Sequence, residues 1–127
     1  MQEKDLFEYA VIRIVPRVER EEFLNVGVVL YCAKQKFLKM LYKINEERLK
    51  AFCNTCDVEN VKEYLLAFEN ICAGNKNSGT IGKLAAAERF RWLTATRSTM
   101  VQTSKVHPGF CKDARDTLQK LFTQLAD

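Results

Sequence analysis

A four-residue link, Ala33-Lys34-Gln35-Lys36, separates two runs of strand-forming residues at 25–32 and 37–44. A link that short cannot carry a crossover connection, so the two runs must lie side by side and antiparallel. A third run, 9–15, is β-branched and apolar and ends at Pro16. Alternation puts Tyr9, Val11, Arg13 and Val15 on one face of it and Ala10, Ile12 and Ile14 on the other. Residues 25–32 are apolar on both faces, the pattern of a central strand. A charged connection, 17–22, joins the first run to the second, and together the three predict an antiparallel meander.

Helical patterns follow. Asn45 is placed to cap a helix over Glu46–Phe52, with Glu46 and Glu47 in its first turn, where the macrodipole favours them. In 58–73 the apolar positions Val61, Tyr64, Leu65, Phe68, Ile71 and Cys72 recur at three-four spacing, and Gly74 stops the helix. A glycine-rich loop occupies 74–83 and a short apolar stretch 84–87. Residues 90–95 read as a strand that bends into 100–103. A last helix spans 113–125, capped by Asp113, with Ala114, Leu118, Leu121, Phe122 and Leu125 as its stripe. The fold class expected is a single α+β domain over 1–127. It has a three-stranded meander plus a later strand, with helices packed on one face of the antiparallel sheet.

Charge is unevenly distributed. The net +4 of the whole chain resolves into −1 for 1–73, +5 for 74–109 and zero for 110–127. The segment 88–109 holds the only Trp and the only His, and from Leu93 to Val106 it is rich in Thr, Ser, Arg and Gln with no acidic residue. An aromatic anchor followed by cationic polar display is the pattern of a binding site for an anionic group. No apolar run is long enough to cross a bilayer, and the first residues lack the basic start and apolar core of a signal peptide. These features predict a cytoplasmic location, no membrane association, and five cysteines held as reduced thiols.

Cys53-Asn-Thr-Cys56 has the spacing of half a zinc site, but Cys32, Cys72, Cys111 and His107 supply no second close pair, so no metal is expected. The thioredoxin context is missing as well. The loop 74–83 has neither the lysine nor the hydroxyl spacing of a P-loop, and it follows a helix rather than a strand. No cofactor is expected. Ser98 lacks a nucleophile elbow. His107, before Pro108 and Gly109, is expected in a rigid turn, able to act as acid, base or hydrogen-bonding anchor. Arg13 shares a strand face with Tyr9, Val11 and Val15, which requires it to snorkel or be paired. Glu22 is the partner expected, with Asn25 close by at the start of the neighbouring strand.

Three blocks carry a family resemblance. They are Arg13-x-x-Pro16, Glu22-Phe23-x-Asn25-Val26-Gly27-Val28-Val29, and Arg89-Phe-Arg-Trp-Leu-Thr-Ala continuing to Arg97-Ser-Thr-Met-Val-Gln102 and Val106-His107-Pro-Gly109. In order and spacing they resemble the bacterial domain-of-unknown-function family number 3037. The chain departs from the family's pattern at Thr96 and Lys105, where prolines are common. The resemblance implies no established activity. It does imply an accessory role with a protein partner, a HipA-like kinase.

These features favour a non-catalytic interaction module that holds a protein partner or an anionic group. The candidate binding residues are Arg13, Glu22, Asn25, Arg97, Ser98, Gln102 and His107, with no catalytic residue assigned. An alternative is a small enzyme for a phosphorylated or nucleotide-like substrate, with Arg97 clamping the anion and His107 as acid or base. That enzyme requires Arg13, Arg97 and His107 to converge on one pocket. A third class, nucleic-acid binding, would use Arg89, Arg91, Trp92, Arg97 and Lys105 as a single-strand platform, and the modest net charge weighs against it.

Overall fold

The computed structural model describes residues 4–17, 20–97 and 99–126. Five strands form one antiparallel sheet: β1 (Asp5–Ile14), β2 (Leu24–Cys32), β3 (Phe37–Tyr42), β4 (Val101–Thr103) and β5 (His107–Cys111). The order is β3-β2-β1-β4, with β5 also on β1. The meander is therefore as expected, with β2 inside it. Gly27 is needed where β2 meets β3. A Cβ there would press on the Leu41 carbonyl oxygen and come within 2.7 Å of the Tyr42 Cβ.

The alternation in β1 decides the packing. Ala10, Ile12 and Ile14 are fully buried on one face, where they meet Val29, Met40 and three helices. These are α1 (Glu46–Phe52), α2 (Val58–Ala73) and α3 (Ala86–Thr94). Asn45 caps α1 by accepting the Arg48 amide at 3.1 Å, and Gly74 ends α2 at φ 68°. The α2 stripe buries Val61, Leu65, Phe68, Ile71 and Cys72, whereas Tyr64 points to solvent. Helix α4 (Ala114–Leu125) departs from the expected single layer. Its Ala114 and Leu118 pack with Phe7, Val28, Leu30 and Cys32 on the opposite face. Both faces of β2 are apolar, so each needs a cover.

The segment expected as a strand over 90–95 is helical. Phe90 and Trp92 mimic a period of two, but the buried pair is Phe90 and Leu93, three residues apart on α3. Ala86, Ala87, Glu88, Arg89 and Leu93 are also good helix formers. The second half of the same expectation holds, because β4 pairs with β1 and sets Gln102 opposite Arg13. The turn expected at His107 is instead strand β5, in register with Asp5–Tyr9. Pro108 is tolerated because β5 is an edge strand and needs no second donor row. Gly109 admits the Phe7 ring, whose nearest atom would lie 2.5 Å from an added Cβ.

The cysteines require one correction. Cys53 and Cys56 are joined in a disulfide, while Cys32, Cys72 and Cys111 are free and buried. Helix α1 ends at Cys53, and the Cys56 amide turns back to the Cys53 carbonyl at 3.4 Å. The turn leaves the two Cα atoms 5.5 Å apart, within disulfide reach.

Candidate functional site

Arg13 sits near the C-terminal end of β1, between two strands. Its Cα partners are Asn25 on β2 and Gln102 on β4, so the three share the sheet face that carries α4. A bulge between Ile12 and Arg13 marks the place where the β1–β2 register shifts. The Arg13 guanidinium lies over the Phe23 ring, 3.9 Å from its centroid. Phe23 itself is 44% exposed. The expected ion pair is absent, since Glu22 bonds Arg20 at 2.6 Å instead. Among the described residues the Arg13 guanidinium has no hydrogen-bond or carboxylate partner, and its Nε is buried without one. Burial lowers its pKa from the ordinary value.

Asn25 shows the complementary defect. Its amide nitrogen donates to the Leu125 carbonyl at the end of α4, at 3.3 Å, while its Oδ1 is buried with no partner. Two open clefts meet at Phe23. One, of about 300 Å³, is lined by Arg13, Glu22, Phe23 and Gln102 among others. The other, of about 320 Å³, is lined by Phe23, Asn25, Arg48 and Leu125 among others. A buried donor and a buried acceptor on registered residues, neither with a partner among the described residues, thus lie beside an exposed aromatic ring.

The remaining candidates are elsewhere. Arg97 donates to the Trp92 carbonyl and, at 3.3 Å, to the Ala95 carbonyl, closing the C-terminal end of α3. Its guanidinium stacks over Trp92 at 4.4 Å and Phe68 at 5.1 Å. Both rings pack against the α1–α3 core, so Arg97 is across the sheet from Arg13. His107 is exposed on β5, its ring 5.4 Å from Tyr9. Tyr9 and Arg13 are four residues apart on β1, roughly 13 Å at strand rise. Ser98 lies outside the described residues. Thus the structure brings together Arg13, Asn25, Gln102 and, on the rim, Glu22, but it separates Arg97 and His107 from them.

That separation removes the convergence of Arg13, Arg97 and His107 which the alternative enzyme requires. Trp92 carries Arg97 on its ring and packs against Phe68 at 6.2 Å, and Arg89 donates to the Leu84 carbonyl at 2.7 Å. Three of the five residues of the single-strand platform, Arg89, Trp92 and Arg97, are therefore engaged internally, while Arg91 and Lys105 are exposed. Among the described residues no cluster of three or more His, Cys, Asp or Glu could hold a metal, and no helix is long and apolar enough to cross a membrane.

Two residues that sequence reasoning passed over position the site. Ser104 is buried between β4 and β5. Its Oγ accepts the Val11 amide at 2.8 Å and donates to the Lys105 carbonyl at 2.9 Å. The hydroxyl thus bridges the break that lets one side of β1 take two strands. Phe23 was legible only as part of a motif block, because its role depends on the guanidinium above it. No spacing rule announces either contact.

The chain belongs to a family of proteins of unknown function, DUF3037, whose model matches residues 9–126. No curated protein and no solved structure matches it.

Proposed function

We propose that this domain is an interaction module that docks a protein partner at the corner formed by Arg13, Phe23, Asn25 and Gln102. The observation that carries this reading is the Arg13 guanidinium, stacked on an exposed ring with its Nε buried and unpartnered. A carboxylate of a partner would bond the terminal nitrogens of the guanidinium, which have no partner among the described residues, and charge-assisted bonds of this kind are roughly twice as strong as neutral ones. Phe23 and Leu125, both exposed, offer apolar area around the polar pair. An arginine beside an exposed aromatic is the composition of interface hot spots. The clefts are open, which suits a protein surface better than an enclosed small molecule.

The segment 89–109 then has a divided role. Gln102 contributes to the corner through β4, while Arg97 closes α3 and the His107 ring packs at a tilt beside Tyr9. A HipA-like kinase, implied by the family resemblance, is the first partner to test. Co-purification of the kinase with wild-type protein, and at least about tenfold weaker binding to Arg13→Ala and Phe23→Ala, supports the proposal. Equal binding by folded variants refutes it.

A further inference from the structure

We infer that the groove along the free edge of β3 binds an extended acidic segment of a partner protein as an added strand. Among the described residues the sheet ends at β3. The Lys43 amide donates to the Val26 carbonyl at 2.9 Å, which sets the phase of the ladder. Phe37, Lys39 and Leu41 therefore bond β2, and the backbone N–H and C=O groups of Leu38, Met40 and Tyr42 point outward. A groove of about 710 Å³ follows this edge, walled by the end of α2 and by α3 on one side and reaching Arg115 of α4 on the other. Strand addition to such an edge draws affinity from main-chain bonds and specificity from the side chains on either side.

Charge selects the occupant. The groove presents Lys36, Lys39, Arg89 and Arg115 against a single acid, Glu69, whose carboxylate also accepts the Tyr42 hydroxyl at 3.5 Å. None of the four cations is in an ion pair among the described residues. Arg89 Nη1 donates to the Leu84 carbonyl at 2.7 Å, a neutral partner that leaves its charge uncompensated. Lysines along an edge guard a strand against pairing with its own kind. A second copy of this chain would set the same cations against each other, whereas a strand bearing carboxylates would neutralise them. This groove is separate from the Arg13 corner, since the two share no lining residue.

The test uses the full chain and a short fluorescein-labelled peptide alternating valine and glutamate, with its valine–lysine counterpart as control. The inference expects saturable binding of the glutamate peptide alone, weakening as salt rises. Reversing two exposed cations, Lys39→Glu with Arg115→Glu, lowers affinity by roughly tenfold or more. On binding, amide exchange at Leu38 and Met40 slows, a readout that does not depend on any variant folding. Arg13→Ala leaves all of this unchanged, so failure here is distinct from failure at the corner. Equal binding of both peptides, binding of neither, or binding without protection of Leu38 and Met40 overturns it. Protection of those amides that grows with protein concentration in the absence of peptide would identify a second copy as the occupant and also overturns it.

Discussion

Replacing Ser104 with alanine removes one hydroxyl from a place where the backbone depends on it. The Ser104 amide already donates to the Val11 carbonyl at 2.8 Å, and its Oγ returns the favour by accepting the Val11 amide at 2.8 Å. Ser104 is 7% exposed, so in Ser104→Ala the Val11 N–H stays buried with no acceptor. Leaving such a donor unsatisfied costs about 2 kcal/mol. A chain of 127 residues has an unfolding entropy of about 0.27 kcal/mol/K, so the melting temperature should fall by about 7 °C. Calorimetry measures this directly, with Thr123→Ala on the exposed side of α4 as a control that should shift by less than about 2 °C. Amide exchange at Val11 should accelerate in the same variant. A shift no larger than the control's, with Val11 still protected, would refute the idea that this hydroxyl holds the β4–β5 junction.

Gly27→Ala should lose about 1–3 kcal/mol in urea unfolding, because the new methyl meets the backbone of β3 rather than a movable side chain. Burial pushes the Cys72 thiol up to about 12, from 9.0 for a free thiol. The native state therefore keeps a proton that the unfolded chain releases, and stability present below about pH 9 is lost as pH rises toward 12. Burial pushes Cys111 in the same direction, so Cys72→Ala should flatten the alkaline decline of the urea midpoint without abolishing it. A chromogenic thiol reagent at neutral pH should find no rapidly reacting cysteine in the native protein and two after mild reduction, those of Cys53 and Cys56.

The fold was legible wherever local pattern and tertiary packing demand the same thing. The short link at 33–36 forces an antiparallel pair, and the stripe in 58–73 can bury only as a helix, so β2, β3 and α2 follow from the chain directly. Residues 90–95 show the opposite case. Phe90 and Trp92 satisfy a strand period and Phe90 and Leu93 a helix period, and the choice falls to helix because Phe90 stacks on Tyr31 at 5.6 Å in the α1–α3 core. Strand β5 was hidden by Pro108 and Gly109, residues that signal a turn unless the strand is an edge with an aromatic ring opposite. At the site, Arg13, Asn25 and Gln102 were identifiable as polar residues on strand-forming runs, and register unites them. Arg97 looked equally available, yet its guanidinium is spent on the carbonyls of its own helix end, a contact with no sequence signature. Glu22 pairs with Arg20 rather than Arg13 because Arg20, two residues away, competes for it.

The most direct test of the Arg13 corner is the response of the two guanidinium groups to a carboxylate probe. In arginine-labelled protein titrated with acetate, the Nε–H resonance of Arg13 can be followed beside that of Arg97 by NMR. Arg13 has a buried Nε without an acceptor, whereas the Nε of Arg97 already bonds the Ala95 carbonyl. The Arg13 signal should shift and saturate, lose that response in Phe23→Ala, and leave Arg97 unmoved. A saturating shift at Arg97 with none at Arg13 would contradict the assignment of the corner and return the site to the α3 side of the sheet.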